Sequence, residues 1–320
     1  MKRVLVVDPI AAAGEALLAR SAEVVRSPDS DPQTIRRLAR DADGIITRSK
    51  LPDDLFQAAP RVRAVAIHGT GTDLVPLADA TARGVMVSNI PGGNAQSVAE
   101  YCAMAMLILS RNVFQIVDSL KSNSWDQARA LGAGTHEIAG LTLGLVGVGE
   151  IGKRVARIGR QGFGMRVLGN QRRMDRLPAD AEPATLDELV SRSDFVVVTC
   201  PLNEETHHLF NAQRIALMKP TAWLVNVGRG PVVEEAALID ALRERRIAGA
   251  MLDVYEHYRL PPGHPLFALD NAVLTPHLAG MTVESRARMS VAAAEEVLRM
   301  LAGERPKNFV NPESADIAHH

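Results

Sequence analysis

The feature that most limits how this chain can fold is a glycine-rich run near its middle, Leu143-Gly144-Leu145-Val146-Gly147-Val148-Gly149-Glu150-Ile151-Gly152. Leu141 to Val146 read as a buried strand. Lys153 to Gly162 carry Val155, Ala156 and Ile158 as an apolar helical face, so the glycines join strand to helix. Each glycine answers a separate demand there: Gly147 permits the tight turn, Gly149 lets backbone approach a pyrophosphate, and Gly152 lets helix pack on strand. Glu150 and Ile151 lie between the last two, at the positive end of the helix, where backbone amides hold phosphates. The run predicts a βαβ unit that binds a dinucleotide through Gly147, Gly149, Glu150, Ile151 and Gly152.

The remaining composition suits a protein that handles small molecules. With 320 residues, 47 % of them apolar, the chain has material for about two domains. A net charge of −1, with acidic and basic residues interspersed, leaves no footprint for nucleic acid or an anionic membrane. Cys102 and Cys200 stand far apart without a spaced Cys or His partner, so no metal site is expected and both read as buried, reduced thiols. The basic start Met1-Lys2-Arg3 precedes an apolar run, Val4 to Val7, that Asp8 and Pro9 cut too short for a signal sequence. A first strand and a cytoplasmic location are expected instead. The apolar stretch from Tyr101 to Leu109 is likewise too short to span a bilayer. His319 and His320, either native or a tag remnant, are left out of the functional reading.

Strand and helix patterns alternate along most of the chain. Strands are expected at Val4–Val7, Glu23–Arg26, Gly44–Thr47, Val62–His68 and Val85–Ser88, with helices at Gly14–Arg20 and Thr34–Ala39 between them. Prolines and glycines in Asn89 to Gly93 then punctuate the chain before a long helix from Ala95 to about Arg111. Beyond the glycine turn, strands are expected at Arg166–Gly169, Phe195–Cys200, Ala222–Val227, Ala248–Val254 and Val273–Thr275, and a second long helix at Val283–Leu301 returns the chain to the first domain. The fold class is therefore α/β with two Rossmann-like domains built on parallel sheets. Residues 1–94 and 284–314 form a flavodoxin-like substrate domain, 95–283 an inserted dinucleotide-binding domain, and 315–320 a tail. Two crossings imply a cleft and a hinge.

Ligands in open parallel sheets gather beyond the carboxyl ends of the strands. That rule singles out Cys200-Pro201-Leu202, the run Asn226 to Gly230 with Val227, Gly228 and Arg229, the run Asp253-Val254-Tyr255, and the run Thr275 to Gly280 with His277. Together with Arg48-Ser49, His68 to Asp73, Asn94 to Glu100, Thr206 and Asn311-Pro312, these segments resemble, in order and over nearly the whole chain, the D-isomer-specific 2-hydroxyacid dehydrogenase family. That family includes phosphoglycerate, glyoxylate and hydroxypyruvate reductases and formate dehydrogenase.

The resemblance implies an NAD(P)-dependent oxidoreductase that interconverts a small 2-oxo acid and the D-2-hydroxy acid by hydride transfer. Arg229 would grip the carboxylate and polarise the 2-oxo group, and His277 would donate the proton. A planar guanidinium suits a carboxylate, and an imidazole can serve as acid or base near neutrality. Arg48 would add positive charge, and Gly69, Thr70 and Gly71 would offer backbone amides to the same carboxylate. Cys200, Pro201, Thr206, Val227, Gly228, Asp253 and Gly280 would border the cofactor, with Asp253 near the nicotinamide. The region from Ala95 through Leu109 leads into the dimer interface of relatives, so a homodimer is expected. Two other readings stay open: a nucleotide-binding regulatory or scaffold protein without turnover, and a dehydrogenase of another small anion, for which formate is the precedent.

One position departs from the family. Five residues after the aspartate of the Asp-Val-Phe/Tyr motif, members usually carry a glutamate that partners the catalytic histidine, and then a proline; here Tyr258 and Arg259 follow Asp253 at that spacing. A carboxylate partner raises a histidine pKa by about one to three units. Without it, a value of about 6.5 leaves roughly a quarter of His277 protonated at neutral pH, and the optimum for reduction moves toward acid. The tyrosine hydroxyl is able to accept a hydrogen bond from the ring. Alternatively Glu256 or His257 enters the site through a loop redirected by Pro261 and Pro262, or Tyr258 contacts a bulky substrate.

The cofactor also leaves a trace. An acidic residue about twenty positions past the glycine turn normally binds the adenosine 2′-hydroxyl of NAD. Here the second strand of the unit runs into Asn170-Gln171-Arg172-Arg173, with Gln171 at the acidic position. A neutral amide followed by two arginines favours NADP(H), with NAD(H) possible because Asp175 follows closely and dilutes the charge.

Overall fold

The computed structural model describes residues 1–317, so His319 and His320 lie outside the described residues. The chain forms two compact units, one from Met1–Asn94 and the chain from Met281 onward, the other from Ala95–Gly280.

The first unit is built on strands β1 (Lys2–Val6), β2 (Ala22–Arg26), β3 (Gly44–Thr47), β4 (Ala64–Ile67) and β5 (Met86–Ser88). They pair in parallel in the order β2-β1-β3-β4-β5. Both faces are covered, which is why β3 and β4 are buried throughout rather than alternating. One face packs Leu5, Ile45, Val65 and Ile67 against Ile35, Ala39, Leu55 and Phe56. The other packs Val4, Val6, Ile46, Ala64 and Ala66 against Met289, Ala293, Ala294, Val297 and Met300 of the helix Val283–Leu301. That helix starts where Thr282 accepts the Ser285 amide and Ser285 answers with its own hydroxyl, a reciprocal cap. It lies so close to the sheet that a Cβ at Gly44 would sit 2.8 Å from Val297.

The second unit holds β6 (Thr142–Val146), β7 (Arg166–Asn170), β8 (Glu182–Pro183), β9 (Phe195–Val198), β10 (Trp223–Asn226), β11 (Gly249–Leu252) and β12 (Ala272–Leu274). These are all parallel, in the order β12-β11-β10-β9-β6-β7-β8. The strand order reverses between β6 and β9, the crevice where such sheets bind dinucleotides, and the glycine turn leaves β6 at that point. The helix Ala95–Arg111 buries Val98, Ala99, Cys102, Ala105 and Met106 in one of the two cores of this unit.

Three differences from the sequence reading have local causes. The second crossing falls between Gly280 and Met281 rather than at 283/284, because Thr282 already caps the returning helix. Ser314–Ile317 form a helical turn where a tail was expected from 315. After Arg111 the chain does not simply end its helix: Asn112 takes a left-handed conformation, φ 51°, and starts the helix Val113–Ser122, bent 53° from the first, followed by Trp125–Leu131. No single helix among the described residues is long and apolar enough to cross a membrane.

Candidate active site

Parallel pairing sends the carboxyl ends of all seven strands of the second unit to one edge, which collects the segments singled out above. The glycine turn comes first. Gly147 has φ +87°, a conformation that side chains other than glycine rarely adopt, and a Cβ there would meet the Cys200 backbone at 2.6 Å. A Cβ on Gly152 would meet the Gly147 carbonyl oxygen at 2.5 Å, so strand and helix are in contact at this point. Around Gly149, in contrast, a Cβ would find nothing within 4 Å. This open side lies at the N-cap of the helix Glu150–Arg157 and is the space a pyrophosphate requires. Glu150 would repel such an anion, but its carboxylate is bonded to Arg154 at 3.0 Å and lies 3.5 Å from Lys153; the Arg154 bond, reinforced by both charges, holds its pKa below the usual carboxylate value. The turn fits a dinucleotide.

Cys200, two residues beyond β9, lies against this turn. It is buried, which pushes its thiol up to about 11 and leaves it unreactive. Pro201 opens a short loop closed by Thr206, whose hydroxyl donates to the Pro201 carbonyl at 2.7 Å and accepts from the Asn203 amide at 2.8 Å. At the end of β7, Gln171 donates to the Arg173 carbonyl at 2.7 Å, and Arg173 meets Asp175 at 3.3 Å. Of the two arginines expected for a 2′-phosphate, then, one already has a carboxylate beside it. Arg172 is exposed and has no carboxylate partner among the described residues.

Beyond β10 the turn Asn226–Gly230 is held by its own first residue. The Asn226 side chain accepts from the Gly228 amide and donates to the Arg229 carbonyl, both at 3.1 Å. Val227 is buried, Gly228 passes against the Cys200 carbonyl, and Arg229 emerges half-buried with Nη1 donating to the Gly228 carbonyl at 2.9 Å. Gly230 has no alternative: a Cβ there would fall 1.7 Å from the Tyr255 carbonyl oxygen.

His277 stands beyond β12 with φ 53°, a strained conformation for a residue with a side chain. Asp253, fully buried at the end of β11, imposes it. Its carbonyl accepts the His277 amide at 2.9 Å. Its carboxylate accepts the Thr275 hydroxyl and the amides of Leu278 and Ala279 at 2.7 to 2.9 Å. Tyr101 completes the chain of bonds by donating to Thr275 at 2.5 Å, and nothing in the sequence marked it for this. Gly280 is buried at the end of the same loop. Tyr258 meets His277 ring on ring, edge-on, with centroids 5.8 Å apart at 70°, and stays 65 % exposed. The contact therefore lies between the rings and not at the phenol hydroxyl. Glu256 is directed elsewhere, to His208 Nε2 at 3.1 Å, and His257 is exposed.

In the first unit, Asp8 holds the turn after β3 by accepting the Arg48 and Ser49 amides at 2.7 and 2.8 Å and the Ser49 hydroxyl at 2.6 Å. After β4, the Gly69 amide donates to the Ile67 carbonyl at 2.8 Å. The amides of Thr70 and Gly71 make no hydrogen bond among the described residues; Asn89 braces the loop by donating to the Thr70 carbonyl at 2.7 Å. His68 is 3 % exposed. Ser290 gives its hydroxyl proton to the Arg286 carbonyl and accepts from the Ala11 amide, so His68 must donate to it through Nε2, at 2.9 Å.

A seven-stranded parallel sheet with this glycine turn at its switch point, and with an arginine and a histidine on the same edge, defines a nicotinamide-dependent oxidoreductase. Comparison with known proteins specifies it further. The pattern of the D-isomer specific 2-hydroxyacid dehydrogenase, NAD binding domain, matches residues 103–279. The glyoxylate reductase of Thermofilum pendens is 37 % identical over 293 residues, 89 % of this chain and 86 % of that one. Glyoxylate/hydroxypyruvate reductase B of Escherichia fergusonii is 36 % identical over 299 residues, 91 % of this chain and 92 % of that one. The structure of the NADPH-dependent glyoxylate/hydroxypyruvate reductase of Sinorhizobium meliloti in complex with NADP and malonate is similar with a TM-score of 0.85 at 30 % identity, covering 98 % of each chain. The chain belongs to the D-isomer specific 2-hydroxyacid dehydrogenase family and is an NAD(P)-dependent enzyme of that class.

Proposed function

We propose that the protein reduces a small 2-oxo acid of the glyoxylate or hydroxypyruvate kind to the D-2-hydroxy acid, with NADPH preferred over NADH. The observation that carries this reading is the edge shared by Arg229, His277 and the glycine turn, at the ends of β10, β12 and β6 of one parallel sheet. Gly147, Gly149 and Gly152 would hold the pyrophosphate, and the bound nicotinamide supplies or accepts the hydride at C2. Arg229 binds the carboxylate through two parallel N–H bonds and draws charge toward the 2-oxo oxygen. An imidazole N–H of His277 gives that oxygen its proton during reduction and takes it back during oxidation. Asp253 keeps the ring in place, and its remaining lone pair suits a donor such as a carboxamide.

Gln171 and Arg172 support NADPH, since neither repels a 2′-phosphate and the guanidinium attracts one. The names of the Thermofilum, Escherichia and Sinorhizobium relatives support the substrate class. A homodimer is supported by the bent arm after Arg111. Its helix Val113–Ser122 buries no side chain within the chain, and Phe114, Leu120 and Trp125 are 50 %, 49 % and 66 % exposed, an apolar surface of the kind a second copy covers. Light scattering at micromolar concentration should give a dimer, and Leu120→Glu combined with Trp125→Ala a monomer.

Initial rates of NADPH and NADH oxidation with glyoxylate, hydroxypyruvate and bulkier 2-oxo acids test the main reading. Turnover favouring NADPH and mildly acid pH is expected, and Gln171→Asp should shift the cofactor preference toward NADH by about tenfold. Tight NADPH binding without turnover of any 2-oxo acid would overturn the substrate assignment.

A further inference from the structure

We propose that Glu235 is a positioning residue that fastens both ends of the 256–264 segment and thereby sets where Tyr258 stands against His277. Glu235 is the first residue of the helix Glu235–Arg243, and its side chain is only 11 % exposed. One carboxylate oxygen accepts the Glu256 amide at 3.2 Å; the other lies 3.2 Å from His264 Nε2. Glu256 returns the bond, accepting the Glu235 amide at 3.3 Å, and holds His208 with its second oxygen. His264 Nδ1 accepts the Leu266 amide at 3.4 Å, which fixes the ring with its Nε2 side toward Glu235, within ion-pair distance of the carboxylate. One buried carboxylate thus closes the segment at its first and last residues.

Tyr258 lies between these two fastenings and makes no hydrogen bond among the described residues; its ring meets that of His277. Its neighbours His257 and Arg259 are exposed, so they do not fix it. The position of its ring is therefore inherited from the backbone, and the backbone from Glu235. The upstream end is fixed further by Tyr255, whose carbonyl presses on Gly230 and whose hydroxyl donates to the Thr275 carbonyl at 2.8 Å, beside the His277 loop.

The inference rests on the reading in which His277 moves the proton, so its test needs a signal that does not depend on turnover. The chain has three tyrosines, so 3-fluorotyrosine labelling gives three fluorine resonances, and the one missing in Tyr258→Phe is that of residue 258. In Glu235→Gln, and more weakly in His264→Asn, this resonance should move toward the solvent-exposed position while those of Tyr101 and Tyr255 stay. Glu235→Gln should also lower kcat/KM by about tenfold through both kcat and KM, with unchanged NADPH affinity. In a Tyr258→Ala background the same change should cost less than about twofold, the sign that Glu235 acts through Tyr258. A Tyr258 resonance unmoved in both variants, or an equal cost in the two backgrounds, would overturn the proposal. If Glu235→Gln does not fold, His264→Asn, which frees one end, decides alone. A wild-type enzyme without turnover would remove the functional reading, and the fluorine signal would still judge the clamp.

Discussion

Two histidines of this protein each stand beyond a strand of a parallel sheet, in surroundings that differ sharply. His68 follows β4 of the five-stranded sheet and His277 follows β12 of the seven-stranded one. His68 is enclosed, and burial, then the positive charge of Arg48, push its pKa down to about 4, so it is a neutral donor to Ser290 and nothing more. His277 is half-exposed, lifted into a left-handed conformation by the bonds to Asp253 and faced by Tyr258. Position beyond a strand therefore does not make a histidine a catalyst.

The widest separation between the two should come from replacing each by an amide. His277→Gln is expected to lower kcat about 10²–10⁴-fold at unchanged NADPH affinity. His68→Gln should leave kcat of the folded enzyme near wild type and cost roughly 1–3 kcal/mol in urea unfolding. A large kcat loss in His68→Gln would break the comparison. Arg229→Lys comes next: it keeps the charge but loses the planar fork, and kcat/KM for the 2-oxo acid should fall about 10–100-fold, measured by steady-state rates.

The contrast also has a pH signature. The fold holds His68 neutral down to about 4, whereas the unfolded chain takes up a proton near 6.5. Stability is therefore complete above about pH 6.5 and is lost as pH falls toward 4, by roughly 2 kcal/mol at pH 5. Unfolding curves at pH 7 and 5 should show this loss in the wild type, and His68→Gln should flatten it. The smallest effect belongs to Tyr258→Glu, which restores a carboxylate beside His277. It should extend reduction toward alkaline pH and raise the rate at neutral pH by up to about fourfold. A profile unchanged from pH 6 to 9 would show that the residue at 258 does not govern the proton on His277.

Sequence made the second unit more legible than its active-site loop. Gly147 and Gly152 each meet a demand that glycine alone satisfies, with open space at Gly149 between them, so their spacing was informative by itself, and strands such as Phe195–Val198 stood out as apolar runs between turn residues. Tyr258 was visible only as a departure from a pattern. Its ring contact with His277 and the redirection of Glu256 to His208 depend on loop paths that no local rule fixes. Glu235 and His264 are far apart in the chain, and both are residue types usually found on surfaces, so nothing in the sequence joined them. Similarly, Asn112 breaks a long apolar helix by adopting a left-handed conformation that its type tolerates but does not announce.

The helix Val283–Leu301, which covers one face of the five-stranded sheet, has a consequence for how the protein is made. All five strands of that sheet are synthesised by Ser88, but Met289, Ala293, Val297 and Met300 follow only after the whole seven-stranded unit. At translation rates of about 5–20 residues per second, the wait is roughly 10–40 s. During that interval the nascent chain has Val4, Val6, Ile46, Ala64 and Ala66 without their covering helix. The unit that begins first on the ribosome is thus completed last, and an early sheet face of this kind is where a chaperone would bind.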